Sequence, residues 1–206
     1  NVTLSDANTT GLGGAICIQK AGITLKVNNS NFTNNVAQYG SSICDDDYPS
    51  TVYVDNCIFD SNDNNGHRKI DQFSGASAIF NWGTLIVNNS VFSNNLKNFV
   101  PRGEAGEDLT HAAIWAQGTA SIYNSNFTNN KGSYGGAIGS NRNAGNSLLV
   151  DNCIFINNTA YDGGAIHISK GTAADIRNSY FENNTVLGIG SPGTNSAAGG
   201  AICIND

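Results

Sequence analysis

One block recurs six times along this chain, and a repeat of that kind leaves few folds open. Its copies are LKVNNSNFTNN from Leu25, VYVDNCIFDSN from Val52, LIVNNSVFSNN from Leu85, ASIYNSNFTNN from Ala120, LLVDNCIFINN from Leu148 and ADIRNSYFENN from Ala174. They share the pattern [VI]-x-N-[SC]-x-F-x-x-N, with a step of five from the aliphatic residue to Phe in every copy. The pattern fixes Asn29, Asn56, Asn89, Asn124, Asn152 and Asn178 before the Phe, and Asn35, Asn62, Asn95, Asn130, Asn158 and Asn184 after it. A second block alternates with the first. It reads GGAI at Gly13, Gly135, Gly163 and Gly199, and GSSI, ASAI and HAAI at Gly40, Ala76 and His111.

Spacing turns these blocks into an architecture. From each Phe to the Ile of the next second block the separation is 11, 20, 22, 11, 11 and 21 residues, so three passages share one length and three carry insertions. The insertions are 63–74, 96–110 and 185–198, and without them the Phe-to-Phe period is 24–28 residues. Short apolar runs at that period predict an all-β solenoid in which each repeat is one coil. Parallel strands put identical residues on top of one another, so Phe32, Phe59, Phe92, Phe127, Phe155 and Phe181 should form one interior column and the second-block Ile residues another. Stacked Asn amides can hydrogen-bond along the axis. Asn also tolerates the left-handed backbone of a sharp corner, and paired Gly permits both that conformation and close backbone approach. About six coils at about 4.8 Å each make a single rod about 30 Å long spanning 1–206. Direct entry into patterned sequence without an initiator Met suggests a piece of a longer protein.

Composition agrees and excludes some functions. Asn and Gly supply 32 and 24 of the 206 residues, and both rank low as helix formers. Net charge is −6 with ten scattered Lys and Arg, which argues against a nucleic-acid partner, since phosphate binding needs a positive face. No run approaches the roughly 18 apolar residues of a membrane span.

Alternating GGA[ILV] and FxxN motifs resemble the repeats of the chlamydial polymorphic outer membrane proteins. The Asn-rich form NNSNFTNN followed by GGAI is similar to the adhesin-like surface proteins of methanogenic archaea. The resemblance covers nearly the whole chain and implies a right-handed parallel β-helix, in line with the usual hand of parallel crossovers. It also implies a secreted or surface-displayed protein that contacts host or neighbouring cells. The shared motifs are structural, so no catalytic residue is carried over from them.

The three insertions enter at one phase of the coil and should emerge along one edge of the rod. Among their residues Asp71, Phe73, Phe99, Arg102 and Glu104 combine aromatics with charge, a mixture suited to binding. Trp82 and Trp115 follow the second block in adjacent coils, which makes them candidates for an aromatic platform under a sugar, with burial against the coil as the alternative. The densest acidic cluster is Asp45-Asp46-Asp47, a candidate Ca²⁺ ligand set without the spacing of a dedicated loop, and equally a solvated turn. No second carboxylate stacks beside it, whereas glycoside hydrolysis needs two carboxyl groups about 5–9 Å apart. His67, His111 and His167 lack zinc spacing and read as surface or loop residues. Cys57 and Cys153 share an inward column with serines and read as core thiols, while Cys17 and Cys44 sit in adjacent coils within reach of a disulfide. Eight N-x-[ST] sequons arise mostly from the repeat itself.

Together these features favour a non-enzymatic, cofactor-free β-helix of an adhesin-like surface protein, attaching to a glycan or protein of another cell through edge loops. The competing readings are a polysaccharide-active, pectate-lyase-like enzyme and a passive stalk.

Overall fold

Each repeat folds into three short strands, as seen in a computed structural model that describes residues 1–64, 75–96, 111–140, 145–187 and 199–205. The second block begins a strand of three or four residues at Ile16, Ile43, Ile79, Ile114, Ile138, Ile166 and Ile202. A five-residue strand follows, typified by Thr84–Asn88, and then a three-residue strand centred on Phe, typified by Val91–Ser93. Strands of one kind pair only with their own kind in the coils above and below, always in parallel, giving sheets of seven, six and seven strands, and Thr159–Ala160 pairs with Thr185–Val186 in a further two-stranded sheet. The described residues thus form a parallel β-helix, and all their regular elements are strands.

The interior follows from the two-residue alternation of a strand. In Thr84–Asn88, Leu85 and Val87 point inward and are fully buried, while Thr84, Ile86 and Asn88 face out. The predicted Phe column is continuous, with ring centroids 4.6–4.9 Å apart and planes within 9° of parallel. The Ile column is likewise in register from Ile16 to Ile202.

Asn makes the corners. The six Asn that precede the Phe strands have φ between 49° and 55°, the left-handed region that Asn enters at low cost. After the Phe strand, Asn34, Asn94, Asn129, Asn157 and Asn183 do the same, and Ser61 takes that place in one coil. The next residue turns inward. Asn35, Asn62, Asn95, Asn130 and Asn158 are fully buried, and each Nδ2 donates to the Oδ1 of the following Asn at 2.8–3.1 Å. That amide ladder also caps the coils, because each Nδ2 from Asn62 onward donates to the carbonyl of the Phe one coil back. A parallel ladder runs through Ser30, Cys57, Ser90, Ser125, Cys153 and Ser179, where backbone N–H groups donate to the next hydroxyl at 3.1 Å.

Three findings depart from the sequence reading. First, Thr3–Ser5 pairs with Asn31–Thr33 and places Leu4 at the head of the Phe column, although it has neither Phe nor the Asn pattern. Second, Gly13, Gly40, Gly135, Gly163 and Gly199 have φ of 54–75°, but Ala76 and His111 at the same place do not, so those corners are turned without left-handed backbone. Third, the five inner strands of the Ile sheet, from Ile43–Asp45 to Ile166–Ser169, are buried on both faces. Cys44, Ala76, Phe80 and Trp115 form a second apolar cluster outside it, covered by Leu12, Tyr39 and Tyr134.

Candidate functional site

Turn length between the Ile sheet and the five-residue strands sets the surface relief on one edge of the rod. Two successive coils cross this edge in the two-residue turns Trp82-Gly83 and Gln117-Gly118. The coil before them crosses in a longer turn that carries Tyr48, and the coil after them enters its strand through Gly145 and Asn146. Low turns between a longer turn and the Gly145-Asn146 approach leave a cleft of about 420 Å³, lined by Tyr48, Trp82, Thr84, Gln117, Thr119 and Asn146 with three glycines.

Backbone stacking builds the floor. A Cβ on Gly118 would lie 2.1 Å from the Gly83 carbonyl oxygen, and one on Gly83 would lie 2.4 Å from that of Ser50, so only glycine lets these turns stack so closely. The Trp82 N–H donates to the Asp45 carbonyl at 3.0 Å, the Gln117 N–H to that of Asn81 at 2.7 Å and the Thr119 N–H to that of Gly83 at 3.1 Å. The Asn146 Nδ2 closes the far side by donating to the Gln117 carbonyl at 2.7 Å.

Asp45 anchors the turn that carries Tyr48. The strand alternation turns its side chain inward, where it is fully buried, and its Oδ2 accepts from the Ser50 hydroxyl, from Asn81 Nδ2 at 2.7 Å and from the Gly83 N–H at 3.3 Å. Burial pushes its carboxyl above the ordinary range, and the bonds from Ser50 and Gly83 pull the other way. Asp46 is raised as well, by burial and then by the neighbouring negative charges of Asp47 and Asp45. Asp45 therefore engages Ser50, Asn81 and Gly83 rather than converging with Asp46 and Asp47. No group of three or more His, Cys, Asp or Glu among the described residues is arranged to hold a metal ion.

Of the two tryptophans, Trp82 stands 37% exposed at the cleft, and Tyr48 beside the same cleft is 70% exposed. Trp115 does not join them. It points out of the Ile sheet, is 4% exposed, and stacks under the His111 ring at 3.8 Å. Room for its indole comes from Gly139, its partner in the next coil, where a Cβ would fall 2.4 Å from the ring. His167, expected at the surface, is buried in the same sheet with its ring 5.1 Å from Tyr134. Asp71, Phe73, Phe99, Arg102 and Glu104 lie outside the described residues.

All five cysteines are free thiols. Cys17 and Cys44 are paired in register, Cys17 exposed and Cys44 buried, and burial drives the Cys44 thiol far above the ordinary range. Sequence reasoning passed over Tyr48, Thr84, Gln117, Thr119 and Asn146. The signal that would have found them is the spacing from the second block to the next [ST]-[LAV]-x-[VI] strand, short in W-G-T and Q-G-T and longer before and after.

Fold and cleft together define a parallel β-helix with a recess of aromatic rings, amides and hydroxyls on one edge. In sequence the chain is 30% identical over 174 residues to the metabotropic glutamate receptor-like protein R of Dictyostelium discoideum, a match covering 83% of this chain and 9% of that protein. The chain thus corresponds to a small part of the relative's length. No family model matches the chain, and no solved structure matches it. No helix among the described residues is long and apolar enough to cross a membrane.

Proposed function

We propose that this chain is an adhesin-like attachment module, displayed at a cell surface or secreted, that holds a glycan or protein of another cell along one edge of a rigid β-helix. The observation that carries this reading is the pair of exposed rings, Tyr48 and Trp82, over turns stitched to their neighbours by backbone hydrogen bonds. Aromatic, amide and hydroxyl groups on a preorganised floor suit recognition, because little freedom is lost when a ligand settles there. The relative's printed name, a receptor-like protein, is in keeping with surface display.

Beads coated with the 206-residue chain test this reading against a panel of whole cells. Adhesion is expected, weakened when the Tyr48 turn or the 96–110 insertion is replaced by a short Gly-Ser turn. Beads that adhere to no cell would leave the passive stalk as the better account.

A further inference from the structure

From the make-up and geometry of this cleft we infer that it is a binding site for a linear, uncharged saccharide lying along the solenoid axis, with Trp82 as the stacking platform and Tyr48 as a second ring beside it. The inference rests on the reading of the chain as an attachment module and gives that module its ligand class.

Three features of the cleft's make-up converge. Trp82 occupies the first position of a two-residue turn whose counterpart one coil on is Gln117, so the turn itself does not require an aromatic residue. Its exposed ring offers a flat apolar face with negative charge density above it, which suits the weakly positive C–H face of a pyranose. Around the rings the lining consists of threonine hydroxyls, the Gln117 and Asn146 amides and glycine backbone. Such groups match sugar hydroxyls in kind, and none of these lining residues is charged.

Repetition supplies the orientation. The lining comes from four consecutive coils, through Tyr48, Trp82 to Thr84, Gln117 to Thr119, and Gly145 with Asn146. Three strand spacings span about 14 Å, and along that length Thr84 and Thr119 are direct register partners. A ligand that repeats along its own axis, as an extended oligosaccharide does, can present similar groups to successive coils. The cleft's 420 Å³ falls within the usual range for small-molecule sites. Positioning also extends beneath the surface. Asp45 touches no ligand, but through Ser50 it holds the turn that carries Tyr48, and through the Gly83 N–H it holds the turn that carries Trp82.

The chain contains two tryptophans, and Trp115 is buried, so Trp82 reports selectively on occupancy. The experiment titrates the 206-residue chain with cellohexaose, laminarihexaose, mannohexaose, xylohexaose and chitohexaose, and with an oligogalacturonate as the anionic control, following tryptophan emission and heat. At least one neutral hexasaccharide should give a saturable blue shift. Calorimetry should show its affinity falling at least tenfold in Trp82→Ala and in Tyr48→Ala, with circular dichroism unchanged, while Asn31→Ala on another sheet leaves it intact. Binding of the oligogalacturonate alone, binding unaffected by either aromatic substitution, or no saturable binding by any neutral hexasaccharide would overturn the inference. The last result alongside beads that still adhere to cells would refute the saccharide while leaving the attachment module standing, and would point to a protein ligand.

Discussion

Replacing Asn95 by alanine tests whether the amide ladder holds the coils together. Asn95 is fully buried and makes four side-chain hydrogen bonds. Its Nδ2 donates to the Phe59 carbonyl at 3.0 Å and to Asn130 Oδ1 at 2.8 Å, and its Oδ1 accepts from the Asn62 backbone N–H at 3.1 Å and from Asn62 Nδ2 at 3.0 Å. Three of the four partners keep another bond, because Asn62 Nδ2 still donates to the Phe32 carbonyl, Asn130 Oδ1 still accepts from the residue 95 N–H, and the Phe59 carbonyl stays in the parallel ladder with Val91–Ser93. The Asn62 N–H alone loses its partner where water does not reach. At about 1–3 kcal/mol for the buried N–H left unpaired and about 0.5–1.5 kcal/mol for each of the three other bonds lost, Asn95→Ala should destabilise the chain by about 4 kcal/mol. For a chain of this size that lowers the melting temperature by about 8–16 °C. Urea unfolding followed by circular dichroism measures it, with an unchanged m-value confirming that the same surface is exposed. Asn184→Ala at the half-exposed end of the ladder should cost less than half as much, since water can replace its partners. Asn95→Asp, which turns an oxygen toward the Phe59 and Asn130 oxygens, should cost no less than alanine. A loss below about 1 kcal/mol for Asn95→Ala, or an equal loss at position 184, would refute the assignment of the ladder as a main source of cohesion.

Other predictions follow from the same geometry. Because Asp45 titrates higher folded than unfolded, the folded chain keeps a proton that the unfolded chain has already released above about pH 3.9. Its contribution to stability is therefore complete below that pH and declines as pH rises through the raised folded value. Asp45→Asn removes this dependence, so its stability relative to wild type should climb with pH from about 4 upward, and a flat difference in paired pH–urea series would refute the burial argument. Maleimide labelling of the native protein should modify Cys17 quickly and leave Cys44, Cys57 and Cys153 until unfolding, which peptide mass mapping reads directly; equal rates would contradict their burial. Gly118→Ala forces a Cβ to within 2.1 Å of a backbone oxygen and should cost about 1–3 kcal/mol, against no loss if the floor is looser than described.

How much of this was legible depended on whether a feature repeats. Phe, Ile and Asn columns could be read because each rung demands the same residue for the same reason, so spacing alone located them. Leu4 escaped notice because a coil at the end of the stack can substitute a different apolar residue, and Asp6, with φ 57°, turns the corner that Asn34 turns in the next coil. The outer cover of the Ile sheet was hidden for the opposite reason. Its column runs Cys17, Cys44, Phe80, Trp115, Gly139, His167 and Cys203, which has no common chemistry and is filled coil by coil by whichever ring or thiol fits. Trp115 beside Gly139 is the one legible trace of that packing, since a glycine within a strand often marks close approach by a neighbour.

A solenoid divides its residues into those that must match their neighbours and those that need not, and function is to be sought among the latter. At the two low turns the second position is glycine in both coils because the stacked carbonyls exclude a side chain. The first position is free of that constraint and holds Trp82 in one coil and Gln117 in the next. Packing does not explain the tryptophan, since over a third of it remains in water while Trp115 shows how completely this fold can bury an indole. An exposed indole offers apolar surface that gains only when something covers it. The inward turn of Asp45 fits the same logic. Burying a carboxyl at the rim of an apolar core is costly unless its hydrogen bonds are needed, and here they hold in place the two turns that present Tyr48 and Trp82. The two residues that depart furthest from their columns thus meet at one cleft, one as the surface offered to a ligand and the other as the anchor beneath it.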